Sequence, residues 1–561
     1  MSFEADLARI SRGWRGPALA ALIAFLAGLP GMLAVPPLDR DESRFAQATA
    51  QMLESRDFVV IRFQEEPRFK KPVGIHWLQA ASVSLFSSAE AREIWAYRIP
   101  SLLGAMLAAA ACAWGAKAFF GETGGLFAGA MLATTFMLST EALIAKTDAA
   151  LCGCTALALA ALGRIYAEAN GGPPAGRRSW LLFWLGIAFG VLIKGPIAPM
   201  VAFLAMAALA IADRKVAWLG RLNWIWGLIL TLAIVGPWAG AVTVATDGGF
   251  WSAALTGDLA PKLAGGQESH GAPPGYHALL APLLIFPMTL MLPAAAVTAW
   301  TRWREPGVRF ALAWLIPAWI VFEATPTKLA HYTLPTYGAI AWLAAAALTQ
   351  PIGTRSRWTG AILAGLFGVL LAGAAFYLVK LYGDASDIPV AMLTALLLAG
   401  AGLGGGWLLL RRAPPFAVAS ALGLGLLGHA ALAAGLAPRL SPLWLSTRTE
   451  RALEKAQLLP EQGVADTPVT VAGYAEPSLV FAVGTETELA GPDDAAQAIY
   501  EQRPAVVEAR EDAAFRQALA RYRVGAHLVA SVKGLDYSDG KTMTLRVYEA
   551  ATPAPAAGAK P

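Results

Sequence analysis

Apolar runs alternate with short polar connections through the first 440 of the chain's 561 residues. The runs lie at about 17–35, 99–117, 123–142, 149–166, 179–194, 197–212, 224–243, 276–298, 309–323, 332–349, 358–380, 388–410 and 414–437. Each is close to the ~20 residues a helix needs to cross a bilayer core. Lys194-Gly195-Pro196 cuts one long run into two short ones, because neither Gly nor Pro continues a helix well. From about Ser441 the pattern changes. Val469–Ala472 and Thr542–Tyr548 alternate like strands, and Asp512–Tyr522 has helical apolar spacing. The pattern predicts a polytopic α-helical membrane protein of about thirteen transmembrane helices over residues 1–440. A small C-terminal α/β domain over 441–561 follows, ending in an Ala/Pro tail expected to be disordered from about Thr552.

The connection after the first run, residues 36–98, is far longer than the others and strongly charged. It carries Asp39-Arg40-Asp41-Glu42-Ser43-Arg44 and then Glu65-Glu66-Pro67-Arg68-Phe69-Lys70-Lys71-Pro72. Ionisable groups at a membrane boundary are costly to desolvate, so a concentration of them marks a candidate site. Asp41 and Glu42 open a stretch, Ser43–Glu54, in which Phe45, Ala46, Thr49, Met52 and Leu53 share one side. That spacing predicts an amphipathic helix lying along the membrane surface. The blander reading is that two carboxylates simply sit at the favourable end of a helix dipole.

Composition agrees with the membrane reading. The chain is 56% hydrophobic and 15% charged, against about 25% charged residues in soluble domains. Its net charge of +5 lies in short loops, so it does not point to nucleic acid. Arg9, Arg12 and Arg15 before the first run read as a retained signal anchor. With the N-terminus cytoplasmic, the Arg- and Lys-rich loops fall inside, while the acidic loop 383–387, the loop 247–276 and the C-terminal domain fall outside. Cys112, Cys152 and Cys154 lie in apolar runs, where they pack as small residues.

That topology brings Asp41, Lys70, Lys71, Lys146, Asp148, Lys194, Lys328 and His331 to one outer face. Lone lysines at helix ends usually snorkel, and Thr147 or Asp148 could cap a helix. Several lysines beside a few carboxylates suit an anionic ligand such as a lipid phosphate, with an acid or base to act on it.

Leu38 to Phe45, Lys70-Lys71-Pro72, Lys194-Gly195-Pro196 and Pro326-Thr327-Lys328-Leu329-Ala330-His331-Tyr332 together resemble the bacterial integral-membrane glycosyltransferases of the GT-C class. The nearest group contains the lipid A aminoarabinose transferase and is related to the protein O-mannosyltransferases. The resemblance implies catalytic roles for Asp41, Glu42 and Asp148, and a donor-phosphate role for Lys71 with Lys70 and Arg44. Arg68, Lys194, Lys328, His331 and Tyr332 become further substrate-binding candidates. Phe45 stands where the family commonly has Tyr, and Arg68 and Lys70 where it has Tyr and Glu, which leaves the sugar open. The implied reaction is inverting transfer of a sugar from a polyprenyl-phosphate donor to lipid A or another envelope glycan at the periplasmic face of the inner membrane. A secreted protein's hydroxyl is the alternative acceptor, and a lipid or sugar flippase the alternative from another class. No phosphate-binding Gly-rich loop is present, so no nucleotide cofactor is implied. A divalent metal stays open.

Overall fold

In the computed structural model, residues 3–261, 271–459 and 468–551 are described, and all thirteen apolar runs are helical. Among the described residues, eight helices are each long and apolar enough to cross a membrane, or nine if Tyr276–Leu284 and Met288–Thr301, bent by 110°, form one span. The remaining expected runs are shorter apolar helices or one arm of a longer element. Ser179–Lys194 and Ile197–Asp213 are short helices parted at Gly195, and Tyr337–Leu348 has only 12 residues after a 3₁₀ turn. The run near 99–117 and the first half of 123–142 are the two arms of Ile94–Ala133, which reverses at Gly121 (φ 75°, ψ 175°), and the helix Phe136–Glu141 follows. A Cβ on Gly125 would lie 2.7 Å from the Ala113 carbonyl oxygen, and one on Gly129 2.6 Å from that of Ala109. The two arms thus pack antiparallel at backbone contact.

A similar close approach sets the position of Asp148. The helix Asp148–Ala169 is buried along most of its length against Ile94–Ala133. A Cβ on Gly104 would sit 2.5 Å from the Ala150 Cα, and one on Gly153 2.5 Å from the Gly104 carbonyl oxygen. Small residues let helices approach this closely in lipid, where packing replaces the hydrophobic effect as the driving force. Cys152 and Cys154 are buried thiols in this helix.

The 36–98 connection folds as the helix Asp41–Ser55, a short hairpin of β1 (Arg62–Phe63) and β2 (Glu66–Pro67), and the helix Gly74–Phe86. The first of these helices does not rest on a surface by one face. Gln47 and Thr49 are buried along with Phe45, Ala46 and Met52, because the helix is held between Gly74–Phe86 and the C-terminal domain. Thr49 hydrogen bonds both His76 Nδ1 and Gln79 Oε1 at 2.8 Å.

The C-terminal domain carries a mixed sheet in the order β4-β3-β5-β7-β6. Its strands are β3 (Thr470–Ala472), β4 (Glu488–Ala490), β5 (Ala505–Glu508), β6 (Ala526–Asp536) and β7 (Lys541–Ala550). The strands β3, β4 and β5 run parallel, and the long β6–β7 hairpin closes the sheet antiparallel. Asp512–Tyr522 is a helix covering one face. The expected disordered tail lies outside the described residues.

One buried ion pair joins the elements that surround the charged connection. Arg98 spends all five N–H donors: two on Glu42, at 2.8 and 2.7 Å, and the rest on the carbonyls of Met32, Val35 and Pro36. Glu42 also accepts from the backbone N–H groups of Leu38 and Ala145, at 2.8 and 2.7 Å. The pair is fully buried. Removing one partner of a buried pair typically costs about 3–5 kcal/mol, because the other charge is stranded. Arg98→Met should lower the apparent melting temperature in detergent sharply, and adding Glu42→Leu should recover only the part due to the stranded charge, because the Leu38 and Ala145 N–H groups and three carbonyls then lose their partners. A single variant as stable as wild type would show that the pair does not hold these elements together.

Candidate active site

The helix Asp41–Ser55 begins at Arg40, whose φ of 60° and ψ of −107° are costly for a residue with a side chain. The turn is held from both sides. Ser43 Oγ donates to the Leu38 carbonyl at 2.5 Å from within, and the tip of the β6–β7 hairpin contacts it from above. There the Asp39 N–H donates to Tyr537 Oη at 2.5 Å, and Arg40 donates to the Ser538 carbonyl at 2.8 Å. The adjoining residue, Asp41, is exposed and lines a polar cavity of about 320 Å³.

Across the cavity, Asp148 lies at the start of its buried helix. Lys194 donates to Asp148 Oδ1 at 2.5 Å, Lys146 lies 3.7 Å from Oδ2, and His331 Nε2 lies 3.6 Å from Oδ1. Glu141, below the cavity, accepts from Lys146 at 3.0 Å. Two acids therefore face two lysines, with His331 between them, and burial holds His331 well below its ordinary pKa. The charge of Asp148 is thus met by two lysines in the cavity wall.

Lys70 is exposed and Lys71 half-buried in the same wall. The Arg68 guanidinium carbon lies 4.7 Å from the Phe45 ring centroid, and that ring stacks on His76 at 5.3 Å. A cation over an aromatic face is held by the ring's quadrupole. Tyr332 lies beside Lys194, whose Nζ is 5.6 Å from its ring centroid.

An apolar groove of about 430 Å³ runs from this cavity between the helices, lined by residues such as Leu151, Ile197, Met200, Phe250, Leu255 and Phe322. Lys70, Lys71, Asp148, Lys194, His331 and Tyr332 line both spaces. A ring of charge thus separates a greasy slot from a polar chamber.

The structure gathers Asp41, Arg44, Arg68, Lys70, Lys71, Asp148, Lys194, His331 and Tyr332 around one cavity. Two candidates do not reach it. Glu42 points away and is consumed by Arg98, which makes it a positioning residue. Lys328 is buried and donates to the Thr325 carbonyl at 2.6 Å, outside the cavity lining. Sequence reasoning put Lys146 and Asp148 on one face but missed Glu141 as the partner of Lys146, and it missed Arg98, Tyr537 and the contact that Tyr537 makes with Asp39. Arg98 carried a signal, a basic residue at the same outer boundary as Glu42. Among the described residues, no three His, Cys, Asp or Glu side chains gather at metal-ligand spacing.

A family profile described as dolichyl-phosphate-mannose-protein mannosyltransferase matches residues 70–240. The undecaprenyl phosphate-alpha-4-amino-4-deoxy-L-arabinose arabinosyl transferase of Enterobacter sp. (strain 638) is 27% identical over 323 residues, covering 56% of this chain and 56% of that protein. The corresponding transferase 2 of Pseudomonas fluorescens (strain Pf0-1) is 28% identical over 367 residues, or 64% of each. The chain thus spans 56–64% of the length of these relatives. The crystal structure of ArnT from Cupriavidus metallidurans bound to undecaprenyl phosphate matches with a TM-score of 0.74 at 19% identity, covering 94% of this chain and 96% of that one. The chain therefore has the GT-C fold, a bundle of membrane helices carrying a small sheet domain.

One group at the domain junction gives a test of its own. Burial, with Glu476 and Asp536 beside it, pushes the Asp39 carboxyl up to about 8 from 3.8. The folded protein then holds a proton that the unfolded chain releases above pH 4. This contribution to stability is complete below pH 4, declines as pH rises toward 8, and is flat beyond. Asp39→Asn should abolish the decline, so the variant gains melting temperature over wild type at pH 8.5 and not at pH 4. Parallel pH–stability curves for the two proteins would refute the buried proton.

Proposed function

We propose that this protein is an inverting membrane glycosyltransferase. It moves a sugar from a polyprenyl-phosphate donor to lipid A or another envelope acceptor at the periplasmic face of the bacterial inner membrane. The observation that carries this reading is the junction of the apolar groove with the charged chamber at Lys70, Lys71 and Lys194. A lipid phosphate needs such a junction, with hydrocarbon on one side, cations at the head group and polar room beyond for the sugar.

In the reaction an acceptor oxygen attacks the anomeric carbon as the bond from that carbon to the phosphate oxygen breaks. The bonding electrons leave with the phosphate, which departs as the lipid monoester. Lys71 and Lys194 stabilise the charge that grows on this leaving group through charge-assisted hydrogen bonds. Asp148 holds Lys194 in position for that contact. The carboxylate of Asp41, on the chamber side, takes the proton of a hydroxyl acceptor as general base. For a phosphate monoester, whose second pKa is about 6, Asp41 instead stabilises the positive charge developing on the sugar ring. The mannosyltransferase profile favours a protein hydroxyl as the second acceptor class. No similar protein reported above is a flippase.

Asp41→Asn keeps the size of the side chain and removes its charge. Purified variant should fold and bind undecaprenyl phosphate like wild type, yet lose about 10²–10⁴-fold in transfer, the usual contribution of an acid–base group. Retention of more than about a tenth of wild-type turnover on that scale would place the chemistry elsewhere.

Orientation has a separate test. A reporter that is active only outside the cytoplasm, fused after residue 440, should be active in cells. A silent reporter there, with a cytoplasmic one active, would invert the arrangement.

A further inference from the structure

His331 stands at the junction of chamber and groove and lines both. Its two ring nitrogens meet different neighbours. Nδ1 lies 3.5 Å from Lys146 Nζ and 3.8 Å from Glu141 Oε1. An ammonium group carries three donors and no acceptor, so Nδ1 can only accept from it. Burial keeps the ring neutral. A neutral imidazole that accepts at Nδ1 carries its proton on Nε2. That nitrogen lies 3.6 Å from Asp148 Oδ1, longer than a hydrogen bond, and the same oxygen already accepts from Lys194 at 2.5 Å. The Nε2–H is therefore presented at the junction beside Asp148 and Lys194, on the wall where a lipid phosphate would meet its cations.

We infer, given the lipid phosphate at the junction as proposed above, that His331 donates its Nε2–H to an oxygen of that phosphate, and that Lys146 and Glu141 are positioning residues that fix the tautomer able to do so. Lys146 sets the tautomer because it offers Nδ1 only donors. Glu141 is buried and holds Lys146 in place at 3.0 Å. Without Lys146, Nδ1 would face the Glu141 carboxylate, which only accepts, and the ring proton would move to Nδ1. Nε2 would then turn a lone pair toward Asp148 and toward a phosphate that is itself an acceptor. The buried pair thus decides whether a neutral ring attracts or repels the head group.

Solid-state NMR of the full-length protein with ¹⁵N-labelled histidine reads the tautomer directly. A galactolipid bilayer holds no phosphorus, so added undecaprenyl phosphate supplies the ³¹P. Of the six histidines, His331 is the one whose signals vanish in His331→Gln. In wild type its Nδ1 should be bare and its Nε2 protonated, with Nε2 coupled to ³¹P more strongly than Nδ1. Lys146→Met should move the proton to Nδ1, and Lys146→Met combined with Glu141→Leu should return it to Nε2, beside Asp148. His331→Phe should weaken undecaprenyl phosphate binding about tenfold or more, as loss of a hydrogen bond to a charged group does. His331→Gln keeps an N–H at similar reach and should recover most of that loss. A protonated Nδ1 in wild type, a tautomer indifferent to Lys146→Met, or unchanged binding in His331→Phe overturns the inference. The wild-type spectrum decides even if the Lys146 variants do not fold. A wild-type protein that binds undecaprenyl phosphate with no ³¹P coupling at Nε2 defeats this inference alone. One that does not bind undecaprenyl phosphate defeats the lipid-phosphate reading beneath it.

Discussion

Glu42 and Arg98 form the contact on which the geometry of the chamber depends. A buried guanidinium is tolerated only when every donor is satisfied, and Arg98 meets that condition with the carboxylate of Glu42 and three carbonyls at the end of the first membrane helix. Glu42 extends the contact to the backbone of Ala145, three residues before Asp148. The end of one helix, the start of a second, the flank of a third and the approach to a fourth are thereby tied at a single point. Asp41 projects into the chamber because the next residue along its helix is anchored beneath it.

Around the chamber, opposite charges do different work at different depths. In the buried layer, acids and bases are matched: Glu141 with Lys146, and Asp148 with Lys194. Such pairs add little net stability once their desolvation is counted, but they fix where an ammonium group points. Nearer to solvent the chamber is lined by Asp39 and Asp41 together with Arg40, Arg44, Arg68, Lys70 and Lys71. The result is a site whose floor is set by buried ion pairs and whose wall brings several cations together.

Much of the bundle could be read from the chain because helix length and apolar composition are local properties. The break at Gly195, the helix Asp512–Tyr522 and the strand near Val471 follow from short-range pattern in the same way. The parting of the runs at 99–117 and 123–142 matches the reversal at Gly121, whereas the 110° bend before Met288 was not legible, since it interrupts apolar sequence without changing its composition. Asp41 and Asp148 stood out as acids at the edges of apolar runs. Glu42 looked identical to Asp41 in sequence, and only the position of Arg98 separates an anchor from a chamber residue. Lys328 shared the outer face by topology but turns inward to a carbonyl. Asp39 and Tyr537 belong to a contact between distant segments, and no local pattern encodes such a pairing.

The contact between Asp39 and Tyr537 joins residues 498 positions apart. A chain made from its N-terminus inserts its helices, and places Asp41 and Asp148, long before the β6–β7 hairpin exists. Until then the strained turn at Arg40 has its inner support from Ser43 but not its outer one. Completion of the chamber is therefore deferred to the last part of synthesis. A nascent or C-terminally clipped chain would be an inserted bundle with an unfinished chamber rim, so the cavity would take its final shape only on a finished protein.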